Sequence, residues 1–176
     1  MKRYFLFVVI FFFSFNMSYA QNNVPSSDEV LKLAYQQAAK EKKKVFVIFH
    51  ASWCGWCRKM DSSINDASVK PFFDKNYVVT HLTVQELPHN KSLENPGAEQ
   101  FLNNHGGEGK GLPFWIVLDK DGNTLGDSQV SRGVNSGCPS SEAEVAHLLE
   151  VLDKTSNINA KQKIAVEKRF RKNQPS

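Results

Sequence analysis

Two hydrophobic periods alternate along this chain, one of about 3.6 residues and one of about 2, and their order outlines an α/β domain. Ser26 and Glu29 form a capping box, with Asp28 adding a second acid in the first turn. Leu31, Ala34, Tyr35 and Ala38 then recur at helical spacing. Lys40, Lys42, Lys43 and Lys44 suit the negative end of that helix, as solvated charge. The near-continuous apolar run Val45-Phe46-Val47-Ile48-Phe49 is short and β-rich, which fits a central strand covered on both faces. A helix is expected from Gly55 to about Asn65 and a second helical piece from Ala67 to Phe73, with Val69, Phe72 and Phe73 on one face. Tyr77 to Val84 reads as the second strand, so strand, helix and strand imply a parallel pair joined by a right-handed crossover.

From Gln85 to Gly111 the chain is a polar loop with Pro88, Pro96 and a cluster of glycines, interrupted by a short helix around Ala98 to Asn103. A phosphate loop would need glycine at Asn104 and Ser or Thr at Gly111. Phe114 to Leu118 is the third strand, and Asp119 to Asn123 is a turn whose glycine stands too early for a calcium loop. Thr124 to about Val130 returns as an antiparallel fourth strand. Ser141 with Glu144 caps a last core helix that carries Val145, Leu148, Leu149 and Leu152. Beyond Lys154, six basic residues from Lys161 to Lys172 face the single acid Glu167, and only Ile158, Ile164, Val166 and Phe170 offer apolar surface. That tail is read as a marginal basic extension over 156–176, with contact to anionic surfaces as the lesser alternative.

The first twenty residues change the averages. Lys2 and Arg3, the apolar core Tyr4 to Phe15, and Ser18-Tyr19-Ala20 have the three parts of a signal peptide over 1–20. A polar linker, 21–25, then leads to a domain over 26–155. Six of the thirteen Phe residues and two of the twenty-two basic residues lie in the signal segment, and without it the net charge falls to +2. A nearly neutral chain gives no case for nucleic-acid binding. No later apolar stretch reaches the ~20 residues of a membrane span, so no stable membrane insertion is expected after cleavage.

The chemistry sits in Trp53-Cys54-Gly55-Trp56-Cys57-Arg58-Lys59. If a strand precedes Cys54 and a helix opens at Gly55, unpaired backbone N–H groups favour a thiolate at Cys54, and Arg58 and Lys59 add positive charge in the same turn. Cys57 is near enough to close a disulfide with it. Three cysteines are too few for a disulfide scaffold, so an exported Cys-x-x-Cys points to thiol exchange.

With Trp53-Cys54-Gly55-Trp56-Cys57 after one strand and Gly111-Leu112-Pro113-Phe114 before another, the chain resembles the thioredoxin superfamily over about Val45 to Leu152. It looks most like exported, single-domain members related to small disulfide isomerases. The resemblance implies a thioredoxin fold: a central mixed four-stranded sheet flanked by helices. It implies Cys54 as the nucleophile that forms a mixed disulfide and Cys57 as the thiol that resolves it. It also implies a cis bond at Pro113, with Leu112 backbone groups open to an extended substrate, and Trp53 and Trp56 as apolar contacts. Two departures stand out: Ile48 occupies the position of the family's buried acid, and Trp56 replaces the usual proline or histidine. His50 and Arg58 are tuning candidates, and Cys138 is either a third redox thiol or an unpaired buried cysteine. No cofactor or metal is expected. The expected partners are protein or peptide thiols and disulfides together with a redox partner, in a periplasmic or secreted setting. Soft-metal handling of Cu(I), and a peptide-holding module without turnover, are the alternatives.

Overall fold

A computed structural model describes residues 24–174, and the expected signal segment lies outside the described residues. Four strands build the main sheet: β1 (Lys44–His50), β2 (Tyr77–Thr83), β3 (Phe114–Leu118) and β4 (Thr124–Asp127), in the order β2-β1-β3-β4. β2 runs parallel to β1, while β3 is antiparallel to β1 and β4 to β3. The sheet is therefore mixed, with its two most apolar strands, β1 and β3, at the centre, and the run Val45 to Phe49 is covered on both faces as expected.

Side-chain alternation divides that strand between two cores. Val45, Val47 and Phe49 join Phe114, Ile116 and Leu118 beneath α1 (Ser27–Glu41) and α4 (Ala98–Asn104). Phe46 and Ile48 join Trp115 and Val117 on the other face, under α2 (Gly55–Ile64), α3 (Lys70–Asn76) and α5 (Glu142–Thr155). Both expected capping boxes form, Ser26 with Glu29 and Ser141 with Glu144. The polar loop after β2 holds a short tight helical stretch, Pro88–Leu93, before α4.

Three boundaries differ from the sequence reading. α3 begins at Lys70 and not Ala67, because the Asp66 carboxylate accepts from Ser68 N and Oγ and holds a turn there. β4 stops at Asp127. Ser128 N donates to Trp115 O and Ser128 Oγ accepts from Trp115 N, and Asp127 Oδ1 accepts from Gln129 N, so the chain turns off the sheet. It then forms a separate hairpin of β5 (Gln129–Ser131) and β6 (Val134–Asn135), whose bend holds Gly133 at φ +84°.

The third difference is the tail. The expected basic extension is a helix of the domain, α6 (Ala160–Arg171), capped by Asn159 with Gln162. Val166 and Phe170, four apart, are fully buried in the core beneath α3 and α5, with the Phe170 ring 6.4 Å from that of Phe73. Several of the basic side chains also have structural partners: Lys163 pairs with Asp153 at 2.8 Å, Arg169 with Asp66 at 3.0 Å, and Arg171 Nη1 donates to Ser140 O at 2.7 Å. The domain therefore continues past residue 155. Two apolar residues one helical turn apart suffice to seat a short helix when a core face is waiting for them.

Candidate active site

β1 ends at His50 and α2 begins at Gly55, which leaves Cys54 as the N-cap of α2. Cys54 and Cys57 form a disulfide with Cα atoms 5.3 Å apart. The backbone N–H of Cys57 donates to Cys54 Sγ at 3.1 Å. On reduction the same N–H and the helix N-terminus face the Cys54 sulfur, and both stabilise negative charge there. Both cysteines are nearly buried, at 3% and 2% exposure, and pack with Ala51 against Leu112. Trp53 and Trp56 flank them and are exposed by 48% and 39%. The Lys59 ammonium lies 4.2 Å from the centre of the Trp56 ring, a cation–π contact that steadies the indole.

The turn before the cysteines is held from the start of the loop after β2. Ser52 N and Oγ donate to the two carboxylate oxygens of Glu86 at 2.5 and 2.7 Å, and Trp53 Nε1 donates to Gln85 O at 2.8 Å. Gln85 sits at φ +53°, which turns the chain back towards the active-site turn. Arg58, a tuning candidate from its sequence position, donates from Nη1 to Ser52 O at 3.0 Å, so its guanidinium braces the same turn.

On the other side, the Leu112–Pro113 peptide bond is cis. Asn135, at the end of the hairpin, clamps this loop by donating from Nδ2 to Gly111 O at 2.6 Å and Pro113 O at 3.0 Å. Residues 29–120, more than half of the chain, match the Thioredoxin-like family. The chain belongs to that family.

This Thioredoxin-like chain matches none of the curated proteins compared with it. Among solved structures it is similar to the disulphide isomerase from Xylella fastidiosa Temecula1, with 16% identity over 90% of this chain and 98% of that one and a TM-score of 0.50. It is also similar to a DsbH oxidoreductase, with 16% identity over 80% and 92% of the two chains and a TM-score of 0.45. The C-terminal domain of DsbD from Neisseria meningitidis in its reduced form shares 26% identity over 58% and 83%, with a TM-score of 0.41. The Xylella structure supports the fold along nearly the whole of both chains.

The remaining candidates lie outside the cluster that the cysteine pair forms with Ala51 and Leu112. Ile48 is fully buried among apolar side chains where the superfamily's acid would stand. Among the described residues Glu86 is the one buried residue with a carboxylate, at 4% exposure, and both its oxygens are occupied by Ser52. His50 bonds Thr83 Oγ1 at 3.2 Å and meets His81 edge to face, with ring centres 5.2 Å apart, and His81 in turn bonds Asp61 at 2.7 Å. Burial pushes the His50 pKa down and His81 adds to this, while Asp61 and Glu86 oppose it more weakly. Both causes favour the neutral form of His50 at the strand end.

Cys138 is a free, buried thiol. Asn173 Nδ2, which reaches in from beyond α6, lies 3.3 Å from its Sγ and 2.9 Å from Ser63 Oγ. Burial pushes its pKa up to about 12, outweighing the nearby Arg169. Burial disfavours the thiolate that exchange requires and supports the unpaired-cysteine alternative. Neither His50 nor Cys138 joins the disulfide in a metal-binding set; among the described residues no three or more His, Cys, Asp or Glu side chains converge on one point.

Sequence reasoning missed Gln85 and Glu86, which lie in the polar loop after the second strand, and Asn135, which lies past the expected end of the fourth strand in a stretch given no element. A polar residue just past a strand that neighbours the active-site strand was the one available signal for Glu86.

Proposed function

We propose that this chain is an exported protein thiol-disulfide oxidoreductase. The observation that carries the reading is the Cys54–Cys57 pair, placed at a helix N-terminus against Leu112. In the reductive direction the Cys54 thiolate attacks a substrate disulfide. A Cys54–substrate S–S bond forms, the substrate S–S breaks, and the electron pair leaves on the other substrate sulfur, which takes up a proton. Cys57 Sγ then loses its proton and attacks Cys54 Sγ, giving the Cys54–Cys57 disulfide and a fully reduced substrate. The oxidative direction is the same sequence reversed. Reduction potential relative to the partner sets the direction, at about 30 mV for each tenfold change in the two-electron equilibrium.

The similarity to the disulphide isomerase from Xylella fastidiosa Temecula1 supports this reading. Ile48 distinguishes it from an efficient thioredoxin-type reductase, since no carboxylate stands in the superfamily's place to take the Cys57 proton. Periplasmic or secreted placement rests on the signal-like start of the chain.

Insulin reduction by dithiothreitol, with the wild-type chain against Cys54→Ser, tests the proposal. Turnover in the wild type that is abolished by Cys54→Ser is expected. Equal rates in the two would leave a peptide-holding module as the better reading.

A further inference from the structure

The outer side of α6 carries charge that the fold does not use. Lys161, Ile164, Lys168 and Lys172 follow one another at spacings of three, four and four, which lines them up along one face of the helix. All four are exposed, Ile164 by 64%, while Val166 and Phe170 on the opposite side are buried. Lys172 is the C-cap and keeps a helical backbone, so the stripe runs the length of α6.

The cations of this helix fall into two groups. Lys163 and Arg169 are paired with Asp153 and Asp66. Lys161, Lys168 and Lys172 enter no ion pair among the described residues. Glu167, the acid of the helix, lies about 100° round from the middle of the stripe.

Neither the helix field nor the core accounts for the pattern. The field favours cations at the C-terminal end, where Lys168 and Lys172 sit, and disfavours them in the first turn, where Lys161 stands with no acid beside it. Ile164 points away from the core that Val166 and Phe170 fill. A lysine has a four-carbon apolar stem and an ammonium tip. At a bilayer surface the stem and a neighbouring isoleucine lie at the edge of the acyl layer while the tip stays among the headgroup phosphates. An acidic protein or a nucleic acid would engage the ammonium groups and gain nothing from Ile164.

We propose that the outer face of α6 docks the chain peripherally on anionic phospholipid, with Lys161, Lys168 and Lys172 among the phosphates and Ile164 at the acyl boundary. No helix of the described residues is long and apolar enough to span a membrane, and docking of this kind needs none. Each lysine brought to an anionic surface strengthens binding about fivefold, so the three together contribute about a hundredfold.

The test uses the chain from Gln21, which contains both described cores whole and leaves out the apolar start of the sequence. It is sedimented with vesicles of phosphatidylcholine alone and with vesicles of phosphatidylcholine and phosphatidylglycerol in equal parts. Binding to the second and not the first is expected, and it should disappear in about 1 M salt, where charges are screened beyond about 3 Å.

Lys161→Gln, Lys168→Gln and Lys172→Gln together should weaken binding about a hundredfold. Arginine at the same three positions should keep it. Lys32→Gln, Lys40→Gln and Lys42→Gln, which change the net charge equally on the other face of the sheet, should weaken it far less. Ile164→Ser should cost about threefold. Equal binding to the two lipids, no binding to either, or equal loss in the two glutamine triples overturns the proposal. Retention on immobilised polyglutamate that depends on the α6 lysines and not on Ile164, without vesicle binding, would assign the face to an acidic protein and overturn it as well.

Discussion

Ser52 hangs from Glu86: its N–H and hydroxyl each donate to a separate oxygen of one buried carboxylate, at 2.5 and 2.7 Å. The turn that presents Cys54 is thus fixed from a loop more than thirty positions later in the chain. Glu86→Ala removes the acceptor of both the Ser52 N–H and the Ser52 hydroxyl. It should destabilise the protein by about 2 kcal/mol, read as a lower urea midpoint at unchanged slope, and slow Cys54 exchange. Because Glu86 positions the turn and does not carry the Cys57 proton, Glu86→Gln should keep the pH–rate profile of the resolving step unchanged in shape.

Cys138 should behave as packing. Its thiol is buried beside Asn173, and its pKa is pushed up to about 12. In the folded protein, maleimide at neutral pH should label reduced Cys54 within the time in which Cys138 stays unmodified, and denaturant should expose Cys138. Peptide mapping by mass spectrometry reads both. Cys138→Ala should leave the insulin-reduction rate within about twofold of wild type, since exchange runs through the ionised thiol alone.

Phe170 anchors α6 in the core, with none of its surface exposed. Phe170→Ala should cost about 3–5 kcal/mol of unfolding free energy by the same denaturant measurement. Exposed Ile164, on the outer face of the same helix, should tolerate alanine within about 0.5 kcal/mol. Equal effects at the two positions would mean that α6 does not pack as described.

His50 has a pKa held below the ordinary histidine value by burial first and by His81 second. The unfolded chain, with its histidine near 6.5, binds the proton more readily than the folded one. Folding stability from this group is therefore complete above about pH 6.5 and is lost as the pH falls towards the depressed folded value. His50→Gln should lose less stability than wild type between about pH 7 and about pH 5. A loss as large in the variant would show that the acid sensitivity does not arise at His50.

The parallel strand pair and the two capped helices were legible from local signals: Val45 to Phe49 is too apolar and too short for anything but a covered strand, and Ser26 and Ser141 announce their helices by the glutamate three residues on. Tertiary partners were not legible. Nothing local to Glu86 or Asn135 says that one holds Ser52 and the other holds Gly111 and Pro113, since both bonds close over long stretches of chain. The tail was misread for the same reason. Its composition is basic, while Val166 and Phe170 matter only once α3 and α5 offer a surface, and composition averages hide a two-residue anchor. At the active site itself, Cys54 and Cys57 were visible from their spacing and Pro113 through the thioredoxin resemblance, whereas His50 and Arg58 were judged by proximity along the chain and Cys138 by its place between the last strand and the last helix. Arg58 turned out to brace the turn, and Cys138 to fill the core beside Asn173.

The most direct measurement incubates the chain carrying Cys57→Ser, reduced, with a disulfide-containing polypeptide and maps the product by mass spectrometry. A covalent adduct on Cys54, with Cys138 unmodified, is the predicted result. No adduct, or one carried by Cys138, would contradict the account.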